Sequence, residues 1–178
     1  MSLIFLRHTA PDIAEGTCYG RTDLPLAETF EEEAERVIRA LPNLAHIVSS
    51  PLQRCHRLAE KVAAARNVSI TIEPDFAEMD FGDWEGQLWS NIPRAELDQW
   101  AEDFLHARPH GGEAVATLRK RVQTALSGLA VHPVPVLIVT HSGVIRAALA
   151  KGDTADHFNT QIDFGGFISV PTEEFQDE

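Results

Sequence analysis

Two of the eight histidines in this 178-residue chain stand where ligand chemistry is commonly done. His8 follows the run SLIFL at 2–6, after Arg7, and His141 follows the run PVLIVT at 135–140. Each histidine therefore sits where a short apolar run gives way to a loop. Arg7 offers a planar fork of donors that matches phosphate oxygens. Arg54, in SSPLQRCHRLAE, opens a helical pattern, and from a first turn it can point back toward strand ends. A helix N-terminus adds free N–H groups and a positive dipole end. Arg57 lies one turn further on, so only one of these two arginines is expected to reach the site. Two arginines and two histidines in one crevice describe an anion pocket with a nucleophile inside. Neighbouring positive charge lowers an imidazole pKa, and a neutral imidazole can attack phosphorus. Covalent transfer to histidine splits one hard displacement into two easier ones. The remaining donors stabilise charge on the equatorial oxygens.

A leaving alkoxide needs a proton. The segment FAEMDFGDWEGQ at 76–87 offers Glu78, Asp80, Asp83 and Glu85 on a glycine-punctuated loop. A carboxyl can act as general acid when partial burial or an anionic substrate keeps it protonated. Chemistry alone does not choose among the four, and a solvated acidic loop is the plain reading of any one. His46, His56, His106, His110, His132 and His157 read as structural or merely exposed. Trp89 and Trp100 read as core or rim packing. Cys55 reads as an inert buried thiol, and Cys18 as an exposed loop thiol with no base beside it.

The elements that would position these residues follow from hydrophobic periodicity. Strands are expected at 2–6, 46–49, 68–72 and 135–140, with a late edge strand at 166–170. The first and fourth are apolar nearly throughout, as strands covered on both faces should be. Helical stripes lie between them. Phe30, Ala34, Val37, Ile38 and Leu41 share one face, with Pro42 as the stop. Leu52, Cys55, Leu58, Ala59 and Val62 repeat the pattern after Pro51. Further stripes run from Leu97 through Trp100 and Ala101 to Phe104 and Leu105, and from Val115 to Leu129. A last helix is expected from about Gly143 to Ala150. Alternating strands and helices mean an α/β architecture with a mostly parallel, doubly wound sheet. Such sheets bind ligands beyond the C-terminal ends of their strands, where both histidines would stand.

The length favours a single domain over 1–178. A solvated acidic tail is expected from about 171, carrying Glu173, Glu174, Asp177 and Glu178. Acids outnumber bases 27 to 15, a net charge of −12 that argues against nucleic acid and anionic membranes as partners. It leaves room for a small anion in a local basic pocket. Glu31 to Glu33 fit the polar first turn of a helix. Two cysteines without paired spacing suggest neither a zinc site nor a disulfide. The start, MSLIFLRHT, lacks the features of a signal peptide, and no apolar run is long enough for a membrane span. The cytoplasm is the expected location, and nothing indicates an oligomer.

Five segments together resemble the histidine phosphatase superfamily, the phosphoglycerate-mutase-like clan. They are LRHT at 6–9, SSPLQR at 49–54, EMDFGDWEG at 78–86, PHGGE at 109–113 and VTHSGVIR at 139–146. Single motifs such as RH or THSG are weak, whereas five in order are strong. The resemblance spans roughly residues 3–150 and implies a three-layer αβα sandwich. It implies that His8 is the phosphorylated nucleophile, that Arg7 and Arg54 hold phosphate, and that His141 is the second histidine of the pocket. It makes Glu78 the proton donor, with Trp84 and Glu85 as structural parts of its loop, and it implies no metal and no cofactor. Thr9 stands where the family usually has glycine, and Pro11 stiffens the loop, so the pocket mouth is the part in doubt. Thr9 and Ser142 join the substrate-binding candidates, with Gly112 and Glu113 as weaker ones.

A finer resemblance lies in GTCYGRTDLPLA at 16–27, which looks like the members called α-ribazole phosphatases, enzymes of cobalamin lower-ligand assembly. Tyr19 could stack on a substrate ring and Arg21 bind an anion, or the tyrosine merely packs. The expected activity is metal-independent hydrolysis of a small phosphorylated metabolite. A mutase is a competing reading, but the segment between Glu78 and Gly112 is short, with little room for a lid that excludes water. A non-catalytic phosphate- or partner-binding module is a second competitor, and the five filled positions count against it. A phosphohistidine protein phosphatase is a third, disfavoured by the intact acid loop.

Overall fold

The computed structural model describes residues 2–175. Five strands form one sheet in the order β3-β2-β4-β1-β5. They are β1 (Ser2–Arg7), β2 (His46–Ser49), β3 (Ile70–Ile72), β4 (Val136–Thr140) and β5 (Phe167–Pro171). The β1–β4, β2–β4 and β2–β3 pairings are parallel, and only β5 runs antiparallel, along β1. The helices are α1 (Phe30–Ala40), α2 (Gln53–Arg66), α3 (Arg94–Glu102), α4 (Val115–Gly128) and α5 (Ser142–Leu149).

Strand alternation divides the core into two layers. Ile4 and Leu6 of β1, with Ile47, Leu137 and Val139, face α1 and α2 through Phe30, Val37, Leu58 and Val62. Leu3 and Phe5, with Val48, Val136 and Ile138, face α4 and α5 through Leu118, Val122, Val144 and Ile145. Each fully buried aliphatic contributes about 1.5–3 kcal/mol relative to exposure. Both central strands are thus apolar on both faces because both faces are covered, and their C-terminal ends are rigid platforms. The architecture is the three-layer α/β sandwich that the sequence implies.

Three expectations shift. The strand expected over 68–72 covers only Ile70–Ile72. Asn67 takes a left-handed φ of 53° to end α2, and the Val68 N–H still bonds back to Ala63. The stripe expected through Leu105 leaves the helix at Glu102, because Asp103 is not helical (φ −133°). Finally, the chain does not leave the fold at 171. Pro171 closes β5, residues 172–175 form a 3-10 turn, and the Phe175 ring packs 5.9 Å from Phe5. The rest of the expected tail, 176–178, lies outside the described residues. Among the described residues, no helix is long and apolar enough to cross a membrane.

Candidate active site

The β1–β4 register brings the two histidines together. Arg7 pairs with Thr140, so the next residues, His8 and His141, leave neighbouring strands side by side. The His8 N–H donates to the Thr140 carbonyl at 3.0 Å. The rings meet edge to face with centroids 5.2 Å apart, and both are buried. His8 Nδ1 lies 2.6 Å from the Thr9 carbonyl oxygen. A carbonyl only accepts, so Nδ1 carries the proton and Nε2 keeps its lone pair. Burial, and then the Arg54 charge, push the His8 pKa down to about 3; the Thr9 bond opposes this and Arg7 adds to it. Burial likewise drives His141 well below the ordinary histidine range, helped by Arg54 and His8. Its Nε2 lies 2.8 Å from Ser50 Oγ and 3.4 Å from Cys55 Sγ.

Arg54 is the second residue of α2 and is fully buried. Its Nη1 donates to the Thr22 carbonyl at 2.8 Å and its Nη2 to the Gly20 carbonyl at 2.6 Å. Arg7 Nη1 donates to the Ile162 carbonyl at 2.8 Å, and the guanidinium lies 3.8 Å over the Phe164 ring. Arg57 turns outward to Glu60, as expected of the second arginine.

Glu78 is buried at the N-terminal end of α5. Its Oε1 accepts from the Met79 N–H at 2.9 Å and its Oε2 from the Gly143 N–H at 3.0 Å. A side chain at position 143 would place its Cβ 2.3 Å from Oε1, so glycine is required for this approach. The other three acids of the loop have different tasks. Asp80 Oδ1 accepts from the Gly82 N–H, and Asp83 is exposed. Glu85 gathers the N–H groups of Gly20, Arg21, Thr22 and Phe81 and the Thr22 hydroxyl. Burial would raise its pKa, but the Thr22 hydroxyl and these amides hold it below the usual carboxylate value. The 20–22 loop is thus held through its N–H groups by Glu85 and through its carbonyls by Arg54. Gly20 backs directly onto Met79, where a Cβ would lie 1.8 Å from the carbonyl oxygen.

A cavity of about 540 Å³ opens over this site. Its polar lining includes Arg7, His8, Tyr19, Glu78, Ser142 and Arg146. Its apolar lining includes Phe81, Trp89, Trp100, Phe104, Phe158 and Phe164. Arg54 and His141 lie buried around His8 and do not open onto the cavity. Thr9 is also buried and reaches the site through its carbonyl. Arg21 does not line the cavity, since its Nε donates to the Glu78 carbonyl at 3.0 Å. Gly112 and Glu113 do not line it either. Glu113 pairs with Arg121 at 2.7 Å, and Arg121 donates to the carbonyls of Asp75, Ala77 and Glu78.

Sequence reading missed several neighbours. Arg146 lies four residues after Ser142 on the same helix, a spacing that could have revealed it. Ser50 directly follows a strand end, which is the same signal that exposed His8. Trp89, Trp100 and Phe104 line the cavity rather than only packing, so the short segment after Glu78 does supply a wall. Cys18 is buried, not exposed. Its N–H and carbonyl bond to Gln87 and Gly86, and burial pushes the thiol up to about 12. Among the described residues, no group of three or more His, Cys, Asp or Glu side chains is placed to hold a metal ion.

The profile of the histidine phosphatase superfamily (branch 1) matches residues 3–163. The chain belongs to that superfamily. Relatives of this histidine phosphatase chain carry several names. It is 28% identical over 160 residues to the adenosylcobalamin/alpha-ribazole phosphatase of Escherichia coli, covering 85% of this chain and 78% of that one. It is 31% identical over 167 residues to the glucosyl-3-phosphoglycerate phosphatase of Mycobacterium tuberculosis, covering 83% of this chain and 73% of that one. A solved phosphoglycerate mutase of Thermus thermophilus superposes with a TM-score of 0.77 and 33% identity, covering 96% of this chain and 92% of that one.

Proposed function

We propose that the protein hydrolyses a small phosphomonoester, without a metal, through a phosphohistidine on His8. The observation that carries this reading is the held neutral tautomer of His8. Its Nδ1 proton is committed to the Thr9 carbonyl, and its Nε2 lone pair belongs to a cavity-lining ring between two arginines and a second histidine. In the first step, Nε2 forms a bond to phosphorus as the bond to the ester oxygen breaks. Glu78 gives its proton to the leaving alkoxide. In the second step, the Glu78 carboxylate takes a proton from water, which attacks phosphorus, releases phosphate and restores His8. Arg7, Arg54 and His141 stabilise the charge on the phosphoryl oxygens during both displacements.

The finer reading is α-ribazole 5′-phosphate as substrate. It draws on the Escherichia coli relative's name and on Tyr19, whose ring lines the cavity. The mutase reading draws on the name of the Thermus thermophilus structure. Phosphate release from a panel of esters, with a chelator present, tests all of these. The panel includes α-ribazole 5′-phosphate and 3-phosphoglycerate. Turnover that vanishes in His8→Ala is the expected result. Full turnover in that variant, or loss of activity on chelation, would overturn the mechanism. Conversion of 3-phosphoglycerate to its isomer without phosphate release would favour the mutase.

A further inference from the structure

Arg146 is a cavity cation that forms no ion pair among the described residues. It lies one turn along α5 from Ser142, is half-buried, and lines the same cavity as His8. Its Nε donates to the Thr160 carbonyl at 3.1 Å, which sets the plane of the guanidinium. Among the described residues neither Nη has a protein partner, and no carboxylate pairs with it. Arg119 and Arg121 are matched by the acids Asp153 and Glu113, whereas Arg7 and Arg54, like Arg146, donate to backbone carbonyls. Arg146 instead lies near enough to Arg7 for the two positive charges to oppose each other. A partly desolvated cation beside another cation is costly unless an anion completes the set. The phosphoryl group does not fill that place by charge. Its two negative charges are matched by Arg7 and Arg54. One positive charge remains.

We propose that Arg146 binds a second anionic group of the substrate, a carboxylate carried on the alcohol portion close to the ester. The apolar wall of Trp89, Trp100, Phe104 and Phe158 takes the remainder of that portion. The inference rests on the phosphatase reading and adds a specificity residue to it. A planar guanidinium with two free Nη groups suits a bidentate carboxylate, and lysine would keep the charge but lose the fork.

The test compares matched esters. 3-Phosphoglycerate and glycerol 3-phosphate differ by a carboxylate in place of a hydroxymethyl group. Carboxyphenyl phosphates and phenyl phosphate repeat the comparison with an aromatic alcohol. In the wild type, kcat/KM should favour the carboxylate member of a pair by about tenfold or more, the scale of one charge-assisted hydrogen bond. In Arg146→Met that ratio should collapse to near unity, and Arg146→Lys should retain part of it. An unchanged ratio in Arg146→Met would overturn the proposal, as would a wild type with no preference in either pair. If the wild type turned over no ester, the phosphatase reading would fail separately. Calorimetric binding of the same pairs to His8→Ala, with and without Arg146→Met, still decides the subsite. Equal affinity for both members of each pair in His8→Ala would end it.

Discussion

The end of β1 and the 76–87 loop face one cavity, yet they are held by different means. His8 and His141 are placed by backbone ladders between two strands that are buried on both faces. No side chain has to be correct for Arg7 to pair with Thr140. Glu78 belongs to a segment without a strand, and individual side chains hold it. Arg121 and Arg21 bind its carbonyl, Glu113 holds Arg121, and Glu85 ties the following turn to residues 20–22. The difference is one of redundancy. A ladder spreads its constraint over many backbone bonds, whereas the loop concentrates it in a few charged groups. Substitutions at the strand end should therefore remove chemistry and spare the fold, and substitutions behind the loop should lose both together.

The largest effect is expected at His8. His8→Ala should lower kcat by about 10⁴-fold or more, while its thermal midpoint stays at or above that of the wild type, because only the buried imidazole is removed. A drop of many degrees would mean that the strand end depends on this side chain after all. Glu78→Gln should cost about 10²–10³-fold with alkyl phosphates and clearly less with nitrophenyl phosphate, whose leaving group needs no proton. Equal losses with both would remove Glu78 from the acid role.

Behind the loop, Glu113→Gln breaks a nearly buried ion pair. About 3–5 kcal/mol of stability should go with it, read as a shifted urea midpoint, and kcat should fall because Arg121 no longer fixes the Glu78 carbonyl. Glu85→Gln should cost about 1–3 kcal/mol and raise KM, since the 20–22 loop supplies the carbonyls that hold Arg54. Wild-type KM in this variant would show that Arg54 is held without the loop.

The last effect concerns pH and returns to the strand end. The His8 pKa falls from 6.5 to about 3 in the fold, and those of His46, His110 and His141 are lowered too. Between pH 6.5 and 3 the unfolded chain binds protons at His8 that the native state refuses. Stability is therefore complete above pH 6.5 and declines as pH falls toward 3. Urea midpoints from pH 8 to 4 should show this slope, and His8→Ala should flatten it. An identical slope in both proteins would assign the acid limb to other groups.

The same contrast governs what could be read in advance. The central strands were legible because a strand covered on both faces is apolar at nearly every position, and a parallel α/β sheet binds at its strand ends. His8 and His141 follow from those two rules. Glu78 emerged only through resemblance, since Asp80, Asp83 and Glu85 offered the same functional group at neighbouring positions. Its distinction is burial against Gly143, a residue 65 positions away in sequence. Arg21 and Glu113 were read as facing substrate, but both face the scaffold of the acid loop. Residue type and proximity to a motif do not state which way a long side chain turns.

The amino-acid sequence by itself determined the layer architecture, the strand ends and the residue types that gather there, because periodicity and residue type are local properties. Tertiary structure decided which carboxylate is buried, which tautomer His8 holds, how the 20–22 loop is clamped, and that Arg146 faces the cavity with no ion-pair partner among the described residues. Those outcomes depend on contacts between segments far apart in the chain, where the balance of burial, hydrogen bonding and charge is settled only when the segments meet.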